Sequence, residues 1–131
     1  MEDQLSFYQR KLDYEIDAWD LADALKKENI TVIDARSEAA FETEHIPGSV
    51  NIPHRTMNED TTAHLSKDTL VVTYCDGIGC NASTKGAINM TRLGFRVKEL
   101  MGGIDWWKRD GYATEGTNAS EGQRRTCGCQ V

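Results

Sequence analysis

Short apolar runs alternate with polar, helix-period stretches along this chain, and that alternation constrains the fold more than any other feature. Thr31-Val32-Ile33, Val50-Asn51-Ile52, Leu70-Val71-Val72-Thr73-Tyr74 and Phe95–Leu100 each have the length of a buried strand. They stop at Asp34, Pro53, Asp76-Gly77 and Gly102-Gly103 in turn, and Tyr14-Glu15-Ile16 adds a brief extended piece ahead of them. Helical stretches fill the gaps. Asp17 is a good N-cap, with Asp20 three residues on, for a helix that should end near Glu28-Asn29, with Lys26-Lys27 suited to its C-terminal turn. Ser37 caps a small helix over Glu38–Glu44. Asn81–Leu93 is the clearest helix, with Ala82, Ala87, Ile88 and Leu93 expected to pack. Ile104–Asp110 should bury at least one of Trp106 and Trp107. Strands that alternate with helices predict an α/β domain, with a mostly parallel sheet covered by helices on both faces.

The flanks read differently. Leu5, Tyr8 and Leu12 recur at helical spacing, so residues 1–13 are expected to form an amphipathic helical extension lying on the domain. The domain itself should occupy residues 14–112, with Thr56–Lys67 a polar loop. Residues 113–131 are Gly-, Thr- and Asn-rich and read as an irregular tail that carries Cys127 and Cys129.

Composition excludes several function classes. A chain of 131 residues with 39% hydrophobic and 27% charged side chains can bury one real core. Fifteen basic against 21 acidic side chains give a net charge of −6, which disfavours nucleic acid or an anionic membrane as partner. No signal-like apolar segment opens the chain and no long apolar run follows, so a cytoplasmic location is expected. The four cysteines are too clustered for a secreted disulfide framework and read as reactive or metal-binding thiols.

Cys75 is the best-placed nucleophile. It stands where Leu70–Tyr74 breaks into Asp76-Gly77-Ile78-Gly79-Cys80-Asn81 ahead of a helix. Backbone N–H groups of such a turn, and of the following helix N-terminus, would converge on the thiol. Its pKa is therefore expected below the ordinary thiol value of about 8.5. Asp34, Pro53, Cys75 and the Gly102-Gly103 turn all follow strands, and ligand sites of open α/β sheets lie at strand carboxyl ends. Asp34, Arg36, His54 and Trp106 are thus candidates for the pocket rim or its support, Arg36 chiefly through a structural ion pair. His45 and His64 read as turn and loop residues, and Lys85 as solvated surface.

A cysteine in a turn of N–H donors suits sulfur relay, phosphate-ester hydrolysis or thiol–disulfide exchange. Phosphate chemistry needs a guanidinium at the end of the loop, and Cys80-Asn81 stands there instead. Sulfur transfer asks for less. Cys80 is either a resolving thiol for Cys75 or a small residue packed under the loop. Cys127 and Cys129 allow relay, resolution or no role. The spacings 75/80 and 127/129 fit a zinc site poorly, so no metal or cofactor is expected.

These motifs resemble the single-domain rhodanese-like family over roughly residues 13–112. Val32-Ile33-Asp34-Ala35-Arg36 is similar to its strand–Asp-x-Arg segment, and His45-Ile46-Pro47-Gly48-Ser49-Val50-Asn51-Ile52-Pro53 to its first signature. The Cys75–Cys80 loop resembles its active-site loop, and Leu100-Met101-Gly102-Gly103-Ile104-Asp105-Trp106-Trp107 its second signature. The resemblance implies a central five-stranded, mainly parallel sheet flanked by helices on both faces. It implies a sulfurtransferase carrying sulfane sulfur as a persulfide on Cys75, passed to a thiol acceptor or cyanide. The loop has the sulfurtransferase length, one residue shorter than in the related dual-specificity phosphatases. The expected partners are a small sulfur donor or persulfidated thiol and a protein sulfur acceptor, in a monomer or weak homodimer. Many active members carry loop arginines; here Asp76 opposes an anionic donor, which predicts weak thiosulfate:cyanide activity. A non-catalytic binding module and a thiol–disulfide oxidoreductase using Cys75 with Cys80 or the tail thiols are the alternatives.

Overall fold

The computed structural model describes residues 2–27 and 29–122. Its elements run α1 (Glu2–Tyr14), β1 (Glu15–Ile16), α2 (Ala18–Lys26), β2 (Ile30–Asp34), α3 (Glu38–Thr43) and β3 (Val50–Asn51). A single 3-10 turn (His54–Thr56) precedes β4 (Leu70–Tyr74), α4 (Ala82–Arg92), β5 (Val97–Leu100) and α5 (Gly103–Arg109). The strands form one five-stranded sheet in the order β1-β5-β4-β2-β3, and every ladder is parallel. Central β4 pairs along its whole length with β2, from Ile30 opposite Leu70 to Asp34 opposite Tyr74.

Period-two alternation sends β2 and β4 side chains to opposite faces. Val32, Val72 and Tyr74 join Ile16, Leu21, Leu100, Ile104 and Trp107 in one apolar cluster under α2 and α5. Ile33 and Val71 join Ile52, Met90 and Phe95 in a second cluster under α4. The expected two-sided α/β architecture is therefore what the chain adopts.

Local details depart from the sequence reading in three places. The buried stripe of α4 is Ser83, Gly86 and Met90, while Ile88 is exposed. The helix sits so close that a Cβ on Gly86 would lie 3.0 Å from Met57 Cε and 3.3 Å from Ala35 Cβ, which is why a glycine and a serine, not Ala82 and Ala87, line the contact. Phe95 precedes β5; its amide bonds back to the Met90 carbonyl and closes the α4 terminus before the strand starts. Helix α1 meets the sheet edge at β1 and β5 without burying its apolar face. It buries no residue, and Leu5, Phe7, Tyr8, Leu12 and Tyr14 are all more than half exposed. Its tether is at its C-terminal end, where Lys98 Nζ donates to the Leu12 carbonyl and Lys11 pairs with Glu15.

Beyond α5 the chain turns back onto α3. The amides of Thr117 and Asn118 donate to the Glu42 and Thr43 carbonyls, two of the acceptors that a helix C-terminus leaves unpaired. His45 and Glu115 exchange backbone bonds beside them. Cys127 and Cys129 lie outside the described residues.

Candidate functional site

Cys75 leaves the carboxyl end of β4, with fully buried Tyr74 behind it. Its backbone is pinned from α5: the Cys75 carbonyl accepts the Ile104 amide at 2.9 Å, and the Asp76 carbonyl accepts the Asp105 amide at 2.8 Å. Gly103 makes this approach possible, because it adopts φ +59° and any Cβ there would overlap the Cys75 carbonyl oxygen. The Gly102-Gly103 turn is thus the seat of the loop.

Within the loop, the Cys75 thiol donates to the Cys80 carbonyl at 3.1 Å. The Ser83 and Gly77 amides also reach the Cys75 sulfur, and the Cys75 and Cys80 thiols interact electrostatically with each other. Cys75 is only 1% exposed. Burial and the adjacent Cys80 push its thiol up, and the two amides only partly offset them. Cys80 is half-buried; despite that burial, the Cys75 thiol and the Ala82 and Asp76 backbone groups hold it below the ordinary thiol value. The expectation of a lowered Cys75 is therefore corrected. The anion-stabilising groups are shared between two sulfurs, and the less desolvated one takes the charge first.

Beside the loop opens a cleft of about 350 Å³, lined among others by Arg36, Ser37, Pro53, His54, Arg55 and Cys80; Cys75 lies behind it. Arg36 holds the near wall. Its guanidinium bonds Asp34 through Nε at 3.0 Å and Nη2 at 2.7 Å, the Glu44 carbonyl through Nη2 and the Asp76 carboxylate through Nη1 at 3.0 Å. Burial opposes the charge, but Asp34 and Asp76 more than compensate and keep Arg36 protonated. Asp34 is fully buried, so it supports the wall and does not face the cleft. Asp76 is exposed, and its charge beside the thiols is neutralised by Arg36.

His54 stands on the opposite wall. Burial, then repulsion from Lys85 and Arg55, lowers its pKa below the ordinary imidazole value. Trp106 is half-exposed and does not line the cleft; it covers Gly102 and stacks with Arg109, whose guanidinium carbon is 5.3 Å from the ring centre. Ile78 points to solvent, Gly77 sits against Asp105, and Asn81 gives α4 its N-cap without a side-chain bond. His45 stacks on Phe41 and bonds its carbonyl through Nδ1. Ser37, read from the sequence only as a helix cap, and Arg55 are cleft residues that the sequence reading does not place there. For Arg55 a signal existed: a cation directly after the strand-end Pro53-His54 pair. Among the described residues, no group of three or more His, Cys, Asp or Glu side chains is placed to hold a metal.

Comparison with known proteins gives the same assignment as the motifs. The model of the family described as Rhodanese-like domain matches residues 17–110. The chain is 30% identical over 95 residues to a thiosulfate sulfurtransferase GlpE of Coxiella burnetii, covering 71% of this chain and 82% of that enzyme. It is also 32% identical over 87 residues to an HTH-type transcriptional regulator of Mycobacterium tuberculosis, spanning 66% of this chain but only 38% of the regulator. A solved Bacillus halodurans protein superposes with a TM-score of 0.87 at 41% identity, over 97% of this chain and 94% of that one. With the parallel sheet, the strand-end cysteine loop and its glycine seat in the matched region, the chain belongs to the rhodanese-like domain family.

Proposed function

We propose that this protein is a sulfurtransferase that carries sulfane sulfur as a persulfide on Cys75. The Cys75 thiolate attacks the outer sulfur of a donor; the leaving group is sulfite if the donor is thiosulfate, and a thiolate if it is a low-molecular-weight persulfide. An acceptor thiol or cyanide then attacks the outer sulfur and regenerates Cys75. The observation that carries this reading is the placement of one thiol at the end of the central strand, with the Gly77 and Ser83 amides at its sulfur. Those donors favour a sulfur anion there. The name of the Coxiella relative supports the same chemistry.

Because Arg36 neutralises Asp76, the loop repels an anionic donor less than its sequence suggests. Thiosulfate and small persulfides are both reasonable donors, and a protein thiol is a reasonable acceptor. Intact mass after brief incubation with each donor tests the reading. Wild type should gain one sulfur mass, reversed by cyanide, and Cys75→Ser should gain none.

One observation favours a second reading, a binding module without catalysis: Cys75 is nearly inaccessible and its thiol is held protonated. Failure to load from either donor, at neutral pH and at alkaline pH, would establish that reading instead.

A further inference from the structure

The Cys75 sulfur lies 3.1 Å from the Cys80 carbonyl oxygen, which brings the two thiols together at one end of the loop, and of the two only Cys80 lines the cleft. No other described cysteine exists. We propose that Cys80 is the resolving thiol of this site, so that the loaded protein releases hydrosulfide and closes a Cys75–Cys80 disulfide, which a dithiol reductant then reopens. This rests on the persulfide reading above and names its product and its co-substrate class.

The atoms balance. Loading leaves Cys75-S–SH. The Cys80 thiolate attacks the Cys75 Sγ, a Cys75–Cys80 S–S bond forms, and the persulfide S–S bond breaks with its electron pair leaving on the outer sulfur as HS⁻. The sulfane sulfur is reduced and the two cysteines are oxidised. A dithiol of the external reductant returns both thiols by exchange, and is itself oxidised to its disulfide.

Three features of the loop favour this course. Cys80 is the more acidic of the two thiols, so it supplies an attacking thiolate more readily than Cys75 would. The Cys75 position penalises charge by burial, and the Cys80 carbonyl sits 3.1 Å from its sulfur. Burial and the neighbouring Cys80 cost an anion there more than the two amide donors return, whereas a disulfide is neutral and loses nothing by burial. The loop can also contract. Gly79 has nothing within 4 Å of where its Cβ would be, and the Cys80 amide is bonded only across the turn to the Gly77 carbonyl. A disulfide needs the sulfurs at about 2.05 Å, and the open space at Gly79 leaves the loop free to bring them there.

The test uses full-length protein carrying Cys127→Ser and Cys129→Ser, with and without Cys80→Ser, given a low-molecular-weight persulfide and no reductant. Intact mass, peptide mapping and sulfide release are followed together. The expected result has the Cys80 protein releasing one equivalent of hydrosulfide and losing two hydrogens, mapped to a Cys75–Cys80 bridge. The Cys80→Ser protein should hold one added sulfur on Cys75 and release none. A persulfide equally long-lived in both overturns the proposal while leaving the carrier reading intact, as does the added sulfur appearing on Cys80. Absence of loading in both proteins overturns the carrier reading and this proposal with it.

Discussion

The Gly103 α-carbon lies directly beneath the Cys75 carbonyl, in a left-handed conformation at φ +59°. The backbone of the Cys75 loop is therefore anchored from α5, since the Ile104 and Asp105 amides bond the Cys75 and Asp76 carbonyls.

Gly103→Ala should accordingly disrupt the loop more than the rest of the domain. A side chain at this φ, in collision with backbone, is expected to cost at least about 2 kcal/mol. Thermal unfolding should shift down by several degrees, and persulfide loading of Cys75 should fall further than the stability loss explains. Unchanged loading at a temperature where the variant is folded would show that α5 does not seat the loop.

Most of the architecture is legible in the sequence, and the limits have physical causes. β2 and β4 show in their β-branched runs because both faces of a central parallel strand are buried. Cys75 shows for the same reason: it is the first polar interruption after such a run. The exposed α1 could not be read, because apolar spacing reports a face and not whether anything covers it. The α4 stripe was misplaced because close helix–sheet packing selects Gly86 and Ser83 over larger apolar residues. The inverted thiols were missed for a third reason. Loop N–H groups at a strand end predict an acidic cysteine, but a second, neighbouring sulfur competes for them, and that contact is tertiary.

Arg36 joins three elements, since it bonds buried Asp34, the Glu44 carbonyl and Asp76. Arg36→Met retains most of the volume but leaves the Asp34 carboxylate buried without its counter-ion. Removing one partner of such a pair is expected to cost about 3–5 kcal/mol. Chemical denaturation should show this loss, whereas Asp76→Asn, which breaks only the exposed arm of the fork, should change stability by less than about 1 kcal/mol. Equal losses in the two variants would place the anchor at Asp76 instead.

Glu44 ties the segment after α5 to the domain. Burial would raise its pKa, but bonds from Lys108 at 2.8 Å and Thr114 Oγ1 at 2.6 Å, with Arg36 nearby, hold it below its ordinary value of 4.5. A carboxyl lowered by folding contributes stability that is present above its unfolded value and is lost as pH falls through its folded one. Lys108→Met should therefore cost about 1 kcal/mol at neutral pH, and the difference from wild type should narrow below pH 4.5. A penalty independent of pH would show that Lys108 acts through packing alone.

The cleft offers Arg55 as a cation that is not spent on an internal ion pair among the described residues, with Lys85 nearby and the His54 pKa lowered by burial and then by both cations. Arg55→Ala is expected to raise the thiosulfate concentration needed for half-loading roughly threefold at low ionic strength, with less effect at high salt. Alkylation of the site by neutral iodoacetamide should be unchanged. A matching loss with that uncharged reagent would assign Arg55 a steric role.

The last prediction concerns pH. Cys75 is pushed up by burial and by Cys80, so its alkylation by iodoacetamide in wild type should reach its plateau only above the ordinary thiol range of about 8.5. Cys80, held down by the neighbouring Cys75 thiol and by backbone groups, should be alkylated at lower pH. Cys80→Ser removes the neighbouring charge, and its hydroxyl can donate to the Cys75 thiolate. Both changes favour ionisation of Cys75, while burial remains. The Cys75 alkylation limb should therefore move to lower pH in Cys80→Ser without falling to that of a free acidic thiol. Peptide-resolved alkylation across pH measures both sites at once. A Cys75 limb at the same pH in both proteins would mean that burial alone holds the thiol protonated, and that the two sulfurs do not share the loop's donors.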